Sequence, residues 1–214
     1  MRRDAQRNRE LILAAAREVY AEQGVEAPLD VIARRAGVGN ATVYRRFPDR
    51  AALIEAVFHD TLAGVLEAGE AARAAEDPWA GLTAYLEEVF GVLAGDRGAN
   101  DLMTTGIAGV STLETLHGHN AETLRGLLER CARNGLVRGD VVVEDLLFSL
   151  AALGRAVPSL EAVVPGAWRR PLALLLDGLR AEGAHALPAP PLSAEELGGA
   201  LRELDIARSG SAPR

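Results

Sequence analysis

Within seven residues, Asn40, Ala41, Thr42, Val43, Tyr44, Arg45 and Arg46 gather an amide, two hydroxyls and two guanidinium groups. These types suit phosphate oxygens and base edges: an arginine pairs bidentately with guanine O6 and N7, and hydroxyls donate to phosphate. Arg50 follows Asp49 at the start of another apolar-periodic segment, where an arginine beside a helix N-terminus joins backbone N–H groups in holding a phosphate. The other reactive residue types form no catalytic pattern. His117 and His119 are two apart, which on a helix directs them to different faces, and neither has a nearby Cys or converging carboxylates. Cys131 lies on a leucine-rich stripe and reads as packing. There is no phosphate loop, dinucleotide fingerprint or serine nucleophile elbow. The expectation is a binding protein with no catalytic residue, metal or cofactor.

The charge distribution points the same way. The 214 residues carry a formal net charge of -7, but residues 1–50 hold 10 Arg against 7 acidic side chains, net +3, while residues 51–214 hold 13 against 23, net -10. The positive charge is concentrated around the candidate contact residues. With 49% hydrophobic but only 4% aromatic residues, the chain fills its core with Ala, Leu and Val, which favours helices over sheets. A single cysteine allows no intrachain disulfide and fits a reducing, cytoplasmic setting. No uncharged apolar stretch of 18 residues occurs, so a membrane span is not expected.

The contact residues need a frame. Ile12, Ala15, Ala16 and Val19 recur at helical spacing over about Gln6–Gln23, with Gly24 at a C-cap position. Pro28 opens a short second helix at its first helical position, and Gly37 ends it. Three residues later Asn40 starts a third helix, which Pro48 stops. Two short helices joined by a glycine turn describe a helix-turn-helix: Ala33 is small where the helices cross, Gly37 permits the turn, and Val38 and Val43 fill the space beneath.

Residues 25–58, VEAPLDVIARRAGVGNATVYRRFPDRAALIEAVF, resemble the DNA-binding signature of the TetR/AcrR family of bacterial transcriptional regulators at Ile32, Ala33, Ala36, Gly37, Val38, Thr42, Val43, Tyr44, Phe47, Asp49, Arg50 and Leu53. The resemblance implies that Thr42 and Tyr44 meet phosphates, that Asn40, Ala41, Arg45 and Arg46 approach base edges, and that Arg50 anchors the fourth helix. Arg2, Arg3, Arg7 and Arg9 are expected to add contacts from a flexible arm. Three positions depart from the family pattern. Gly39 replaces a capping serine, for which Asn40 is the candidate substitute; Pro28 replaces a threonine; and Arg46 replaces a histidine or tyrosine. For Tyr44 the competing reading is a core tyrosine, and for Arg34 and Arg35 a solvated face.

Behind this front module, Asp49 and Asp77 mark the N-caps of two long helices, Ser111 with Glu114 a capping box for a third, and Asn134–Gly135 its end. Residues 100–110 read as looser chain, followed by helices at about Val143–Val157 and Pro165–Glu182, a linker at 184–192 and a short peripheral helix capped by Ser193 and Glu196. The expected fold is all-α, with about nine helices plus the C-terminal one: a DNA-binding domain at 1–50, a regulatory and dimerisation domain at 51–183 and a tail at 184–214. Leu146, Leu147, Leu150, Leu172, Leu175, Leu176 and Leu179 are expected at a homodimer face. The resemblance also implies a small-molecule pocket in the bundle. Its candidate lining is Trp79, Leu82, Tyr85, Leu86, Phe90, Leu102, Met103, Leu116, His117, Asn120, Phe148 and Trp168, a mostly apolar set that favours an apolar or amphipathic effector. The implied function is a homodimeric repressor released from operator DNA by that effector. The rival readings are a helix-turn-helix that binds protein instead of DNA, and an enzyme.

Overall fold

The computed structural model describes residues 2–104 and 109–209, with side chains over 4–104 and 109–204. Ten helices run through these residues: α1 (Arg2–Gln23), α2 (Leu29–Ala36), α3 (Asn40–Arg46), α4 (Arg50–Ala74), α5 (Pro78–Gly95), α6 (Arg97–Thr104), α7 (Ser111–Arg133), α8 (Val143–Val163), α9 (Arg169–Leu179) and α10 (Ala194–Ser209). The extended pairing among them is a single bridge between Val137 and Arg180.

Local chemistry sets most boundaries. Gly37 adopts φ 67°, and the amides of Gly37 and Val38 return to the carbonyls of Arg34 and Ala33, ending α2 in a left-handed turn that few side chains tolerate. Asp49 caps α4 by accepting from the Ala52 amide at 2.8 Å, and Asp77 caps α5 through the Trp79 and Ala80 amides. Ser193 and Glu196 form a reciprocal capping box at α10. The C-terminal carbonyls of α4 are met from a distance: Arg130 on α7 donates to the carbonyls of Arg73 and Ala75 at 2.8 and 2.6 Å.

Several sequence expectations are corrected. α1 starts at Arg2 rather than about Gln6, so the backbone of the expected basic arm is helical; the Arg2 and Arg3 side chains lie outside the described residues. Pro28 is the N-cap of α2, one position earlier than expected. Asn40 is the first residue of α3, whose cap position is Gly39 with no side-chain bond, so Asn40 does not replace the missing serine cap. Ser111 is likewise inside α7, with Val110 at its cap position. Residues 97–104, partly assigned to looser chain, form α6, while 105–108 lie outside the described residues. α8 continues past Val157 through Pro158 to Val163. α10 spans 16 residues and is packed on α8, so it is neither short nor merely peripheral.

One continuous core joins the front module to the bundle. Ile12, Ala16, Val19 and Tyr20 of α1 pack with Ile32 and Ala33 of α2, Val43 of α3 and Leu53, Ile54, Val57 and Phe58 of α4. From Leu62 onward α4 packs against α5 and α7. α6 lies between α1 on one side and α5 and α8 on the other, so it touches both modules.

Candidate nucleic-acid interface and ligand cavity

α3 presents two faces of opposite character. Val43 is fully buried beneath it, and Phe47 is buried just past its end. Asn40, Ala41, Arg45 and Arg46 are exposed, and Tyr44 is 54% exposed, which removes the core-tyrosine reading. Thr42 is half-buried, and its hydroxyl accepts from the Arg45 guanidinium at 3.2 Å, limiting where that arginine swings. The exposed face thus offers two guanidiniums, a phenol and an amide on one short helix.

The neighbouring arginines divide by partner. Arg50 is half-buried and donates to the Val25 carbonyl at 3.1 Å and to Glu26 at 3.2 Å, so it ties the start of α4 to the α1–α2 connection. Arg35 grips Glu22 through both nitrogens, at 2.7 and 3.0 Å, and reaches Glu18 at 3.2 Å. That pairing holds the Glu22 carboxyl below the usual carboxylate range and raises Arg35 further. Arg35 therefore belongs to the α1–α2 packing, a partnership that its position in sequence does not reveal. Arg34 pairs with Asp30 one turn back. Arg7 and Arg9 are exposed on α1, and Arg9 lies over the Phe47 ring at 5.7 Å.

In the bundle a cavity of about 390 Å3 opens between α4, α5, α6, α7, α8 and α10. Of the twelve candidate lining residues it brings together Met103, Leu116, His117 and Asn120. Tyr85 is buried behind it, donating to Asn120 Oδ1 at 3.2 Å, with burial raising its phenol to about 12. Leu82, Leu86, Phe90 and Leu102 are fully buried in the core and do not line the cavity. Trp168 stacks on Phe90 at 6.1 Å, Trp79 lies under the Arg180 guanidinium at 3.7 Å, and Phe148 is half-buried on α8; these three also lie outside the lining. The lining includes residues that sequence reading missed: Val65, Val89, Leu93, Thr104, Ala151, Arg155 and Leu201. Leu147 and Leu150, expected at a dimer face, line it as well.

The remaining dimer candidates are also turned inward. Leu146, Leu172, Leu176 and Leu179 are buried in the chain's own core, which leaves little of them for a second copy, while Leu175 is half-buried against it. The apolar surface at this end of the molecule is instead Val163, Val164 and Leu174, at 81%, 56% and 63% exposure.

α6 connects cavity and front module. Met103 and Thr104 at its C-terminal end line the cavity. At its N-terminal end Arg97 donates to the Glu22 carbonyl at 3.2 Å, and Gly98 lies so close to Phe58 and Tyr20 that an added Cβ would sit 2.7 Å from the Phe58 ring. Asn100, only 3% exposed, donates to the carbonyls of Leu93 and Gly154, fixing α6 to α5 and α8. Cys131 is fully buried, and burial raises its thiol. Among the described residues no three His, Cys, Asp or Glu side chains converge as a metal site would require.

Comparison with known proteins identifies the family. The family model for bacterial regulatory proteins of the tetR family matches residues 12–57, and that for the SbtR-like transcriptional regulator C-terminal domain matches residues 77–181. No curated protein sequence matches significantly. Among solved structures, the TetR transcriptional regulator SCO0520 from Streptomyces coelicolor is 30% identical, with 82% of this chain and 99% of that chain covered and a TM-score of 0.52. A TetR transcription regulatory protein from Mycobacterium vanbaalenii is 33% identical over 84% of this chain and 98% of its own, with a TM-score of 0.47. The regulator FadR from Bacillus subtilis, solved in complex with stearoyl-CoA, shares the fold at 19% identity, with coverage of 82% and 99% and a TM-score of 0.60. With a helix-turn-helix at its front and a helical bundle around a cavity behind, the chain belongs to the TetR family of bacterial transcriptional regulators.

Proposed function

We propose that two copies of this chain bind one operator in the cytoplasm and release it when a small molecule fills the cavity between α4 and α10. Arg45 and Arg46, with Asn40 and Ala41, read base edges; Thr42 and Tyr44 meet phosphates; and Arg50 holds the N-terminal end of α4 beside the backbone. Two half-sites about 34–36 Å apart require a dimer. Its face is the outer side of α8 with α9, around Leu174 and Val163. Support comes from α8 itself: by length and composition it is apolar enough to cross a membrane, yet only 22% of its apolar window is buried within the protomer, a surface that a second copy would cover.

The observation that carries the ligand reading is α6. A molecule displacing Met103 and Thr104 moves a short helix whose other end is locked onto Glu22, Tyr20 and Phe58 of the DNA-binding module. A shift there changes the separation of the recognition helices, and a coupling of about 1–3 kcal/mol alters operator affinity roughly 5- to 150-fold.

The test starts with duplexes selected from a random pool by the purified protein, followed by fluorescence anisotropy. The variant carrying Arg45→Ala and Arg46→Ala should lose discrimination between selected and random duplexes while keeping its circular dichroism spectrum. Undiminished discrimination would overturn the recognition-helix assignment, and sedimentation showing only monomer, with and without DNA, would overturn the paired reading.

A further inference from the structure

Among the described residues, the polar side chains lining the cavity are Thr104, His117, Asn120 and Arg155. Arg155 on α8 is the only formally charged side chain, with histidine taken as neutral, among the described residues lining it. Its guanidinium donates to the Thr104 carbonyl at 3.2 Å and to the Leu204 carbonyl, the C-terminal part of α6 and the middle of α10. Asn120, which also lines this space, accepts the Tyr85 phenol on Oδ1. His117 adds a ring nitrogen. Among the described residues no carboxylate lines this cavity, and the rest of the wall is apolar apart from Thr104, whose hydroxyl already donates to the Asn100 carbonyl at 2.7 Å.

Arg155 also stands at a boundary. Beyond it a second, more open cleft of about 820 Å3 is shared by α5, α6, α8 and α10, and Leu93 and Arg155 line both spaces. The carboxylates of this region, Asp101 and Glu161, and the guanidinium of Arg97 line the outer cleft alone. An apolar chamber therefore ends at a guanidinium, with water-accessible space on its far side. α10 spans the junction, with Leu201 on the inner chamber and Leu204 on the outer cleft.

From this placement we infer that the effector is an amphipathic carboxylic acid: its hydrocarbon body occupies the inner chamber and its carboxylate is received by Arg155. This deepens the ligand reading above and rests on it. A carboxylate accepts charge-assisted hydrogen bonds from a guanidinium in a fixed fork, and the low-polarity wall strengthens the attraction. A neutral alcohol of the same length gains the chamber but not the fork, and an alkylammonium is repelled. Because Arg155 holds backbone carbonyls of both α6 and α10, a carboxylate competing for its N–H groups loosens α6 at the end opposite its contact with α1. Recognition of the acid group and release of DNA thereby share one side chain.

Isothermal titration calorimetry on the full-length protein tests this with decanoate and dodecanoate, the matched alcohols and dodecylammonium. The acids should bind roughly 10- to 100-fold more tightly than the alcohols. Arg155→Gln should abolish that preference, and Arg155→Lys, which keeps the charge but not the fork, should retain part of it. Thermal denaturation of each variant verifies folding, and the Lys variant keeps the comparison available if the Gln variant does not fold. Equal affinity for acid and alcohol in the wild type, or a preference that survives Arg155→Gln, would overturn the inference while leaving the chamber as a ligand site. Absence of binding by either acid would also overturn it. The underlying ligand reading is scored separately with the neutral dye 1-N-phenylnaphthylamine: its binding, blocked by Ala151→Trp, supports the chamber, and no binding of dye, acid or alcohol refutes both.

Discussion

Adding one methyl group at Gly98 tests whether α6 is wedged rigidly against the DNA-binding module. The new Cβ would lie 2.7 Å from Phe58 Cζ and 3.2 Å from Tyr20 Cβ. Carbon atoms in contact prefer about 3.5–4.0 Å, so the clash with the Phe58 ring amounts to roughly 1 Å. That ring has little freedom, being 2% exposed and stacked on Tyr20 with centroids 5.9 Å apart. Overpacking of this kind costs about 1–3 kcal/mol, while alanine regains about 0.5–1 kcal/mol over glycine inside a helix. The net cost of Gly98→Ala should therefore fall between about 0 and 2.5 kcal/mol, centred on about 1 kcal/mol, which for a chain of this size lowers Tm by about 2–4 °C. Strain is relieved most readily by tilting α6, which carries Met103 and Thr104 with it. The variant should consequently show altered affinity for selected operator DNA in anisotropy titrations without any effector present. If scanning calorimetry places Tm within about 1 °C of wild type and operator affinity is unchanged, α6 is not a rigid wedge and the coupling route is wrong.

Two further outcomes are expected. Asn100→Ala removes the donor to the carbonyls of Leu93 and Gly154 at a buried site; stability should fall by about 2–4 kcal/mol, read as a lower urea midpoint at unchanged slope, and an unchanged midpoint would show that this side chain does not seat α6. Arg138 holds the Asp140 carboxyl at about 2, below its ordinary 3.8, so the pair stabilises the fold above the ordinary value and loses that contribution as pH falls through about 2. The difference in Tm between wild type and Arg138→Met should accordingly narrow over this acid range, and a gap independent of pH would refute the pairing.

The front module was legible because its constraints are local. A left-handed turn needs glycine at Gly37, a helix crossing needs a small residue at Ala33, and the exposed side of a seven-residue helix follows once Val43 is placed beneath it. Caps at Asp49, Asp77 and Ser193 lie within three residues of the amides they receive, so sequence alone locates them. α6 was missed because Gly95 and Gly98 marked a helix end and residues 100–110 read as looser chain; tertiary contacts through Asn100 and Gly98 give it its place. The helix expected to end near Val157 continues through Pro158 to Val163, packed on neighbouring helices.

By itself the sequence determined most of the helix order, the exposed face of α3, the separation of basic front from acidic bundle and the family, since each rests on short-range backbone chemistry or on residue type. It did not determine which leucine faces inward. Leu146 and Leu147 are adjacent and equally apolar, but one is core and the other lines a cavity, because a helix rotates about its axis until its best-matched face is covered. Arg35 and Arg155 likewise acquire their partners on α1, α6 and α10 only when distant segments meet. Partner choice across the fold depends on three-dimensional proximity, and tertiary structure decided it.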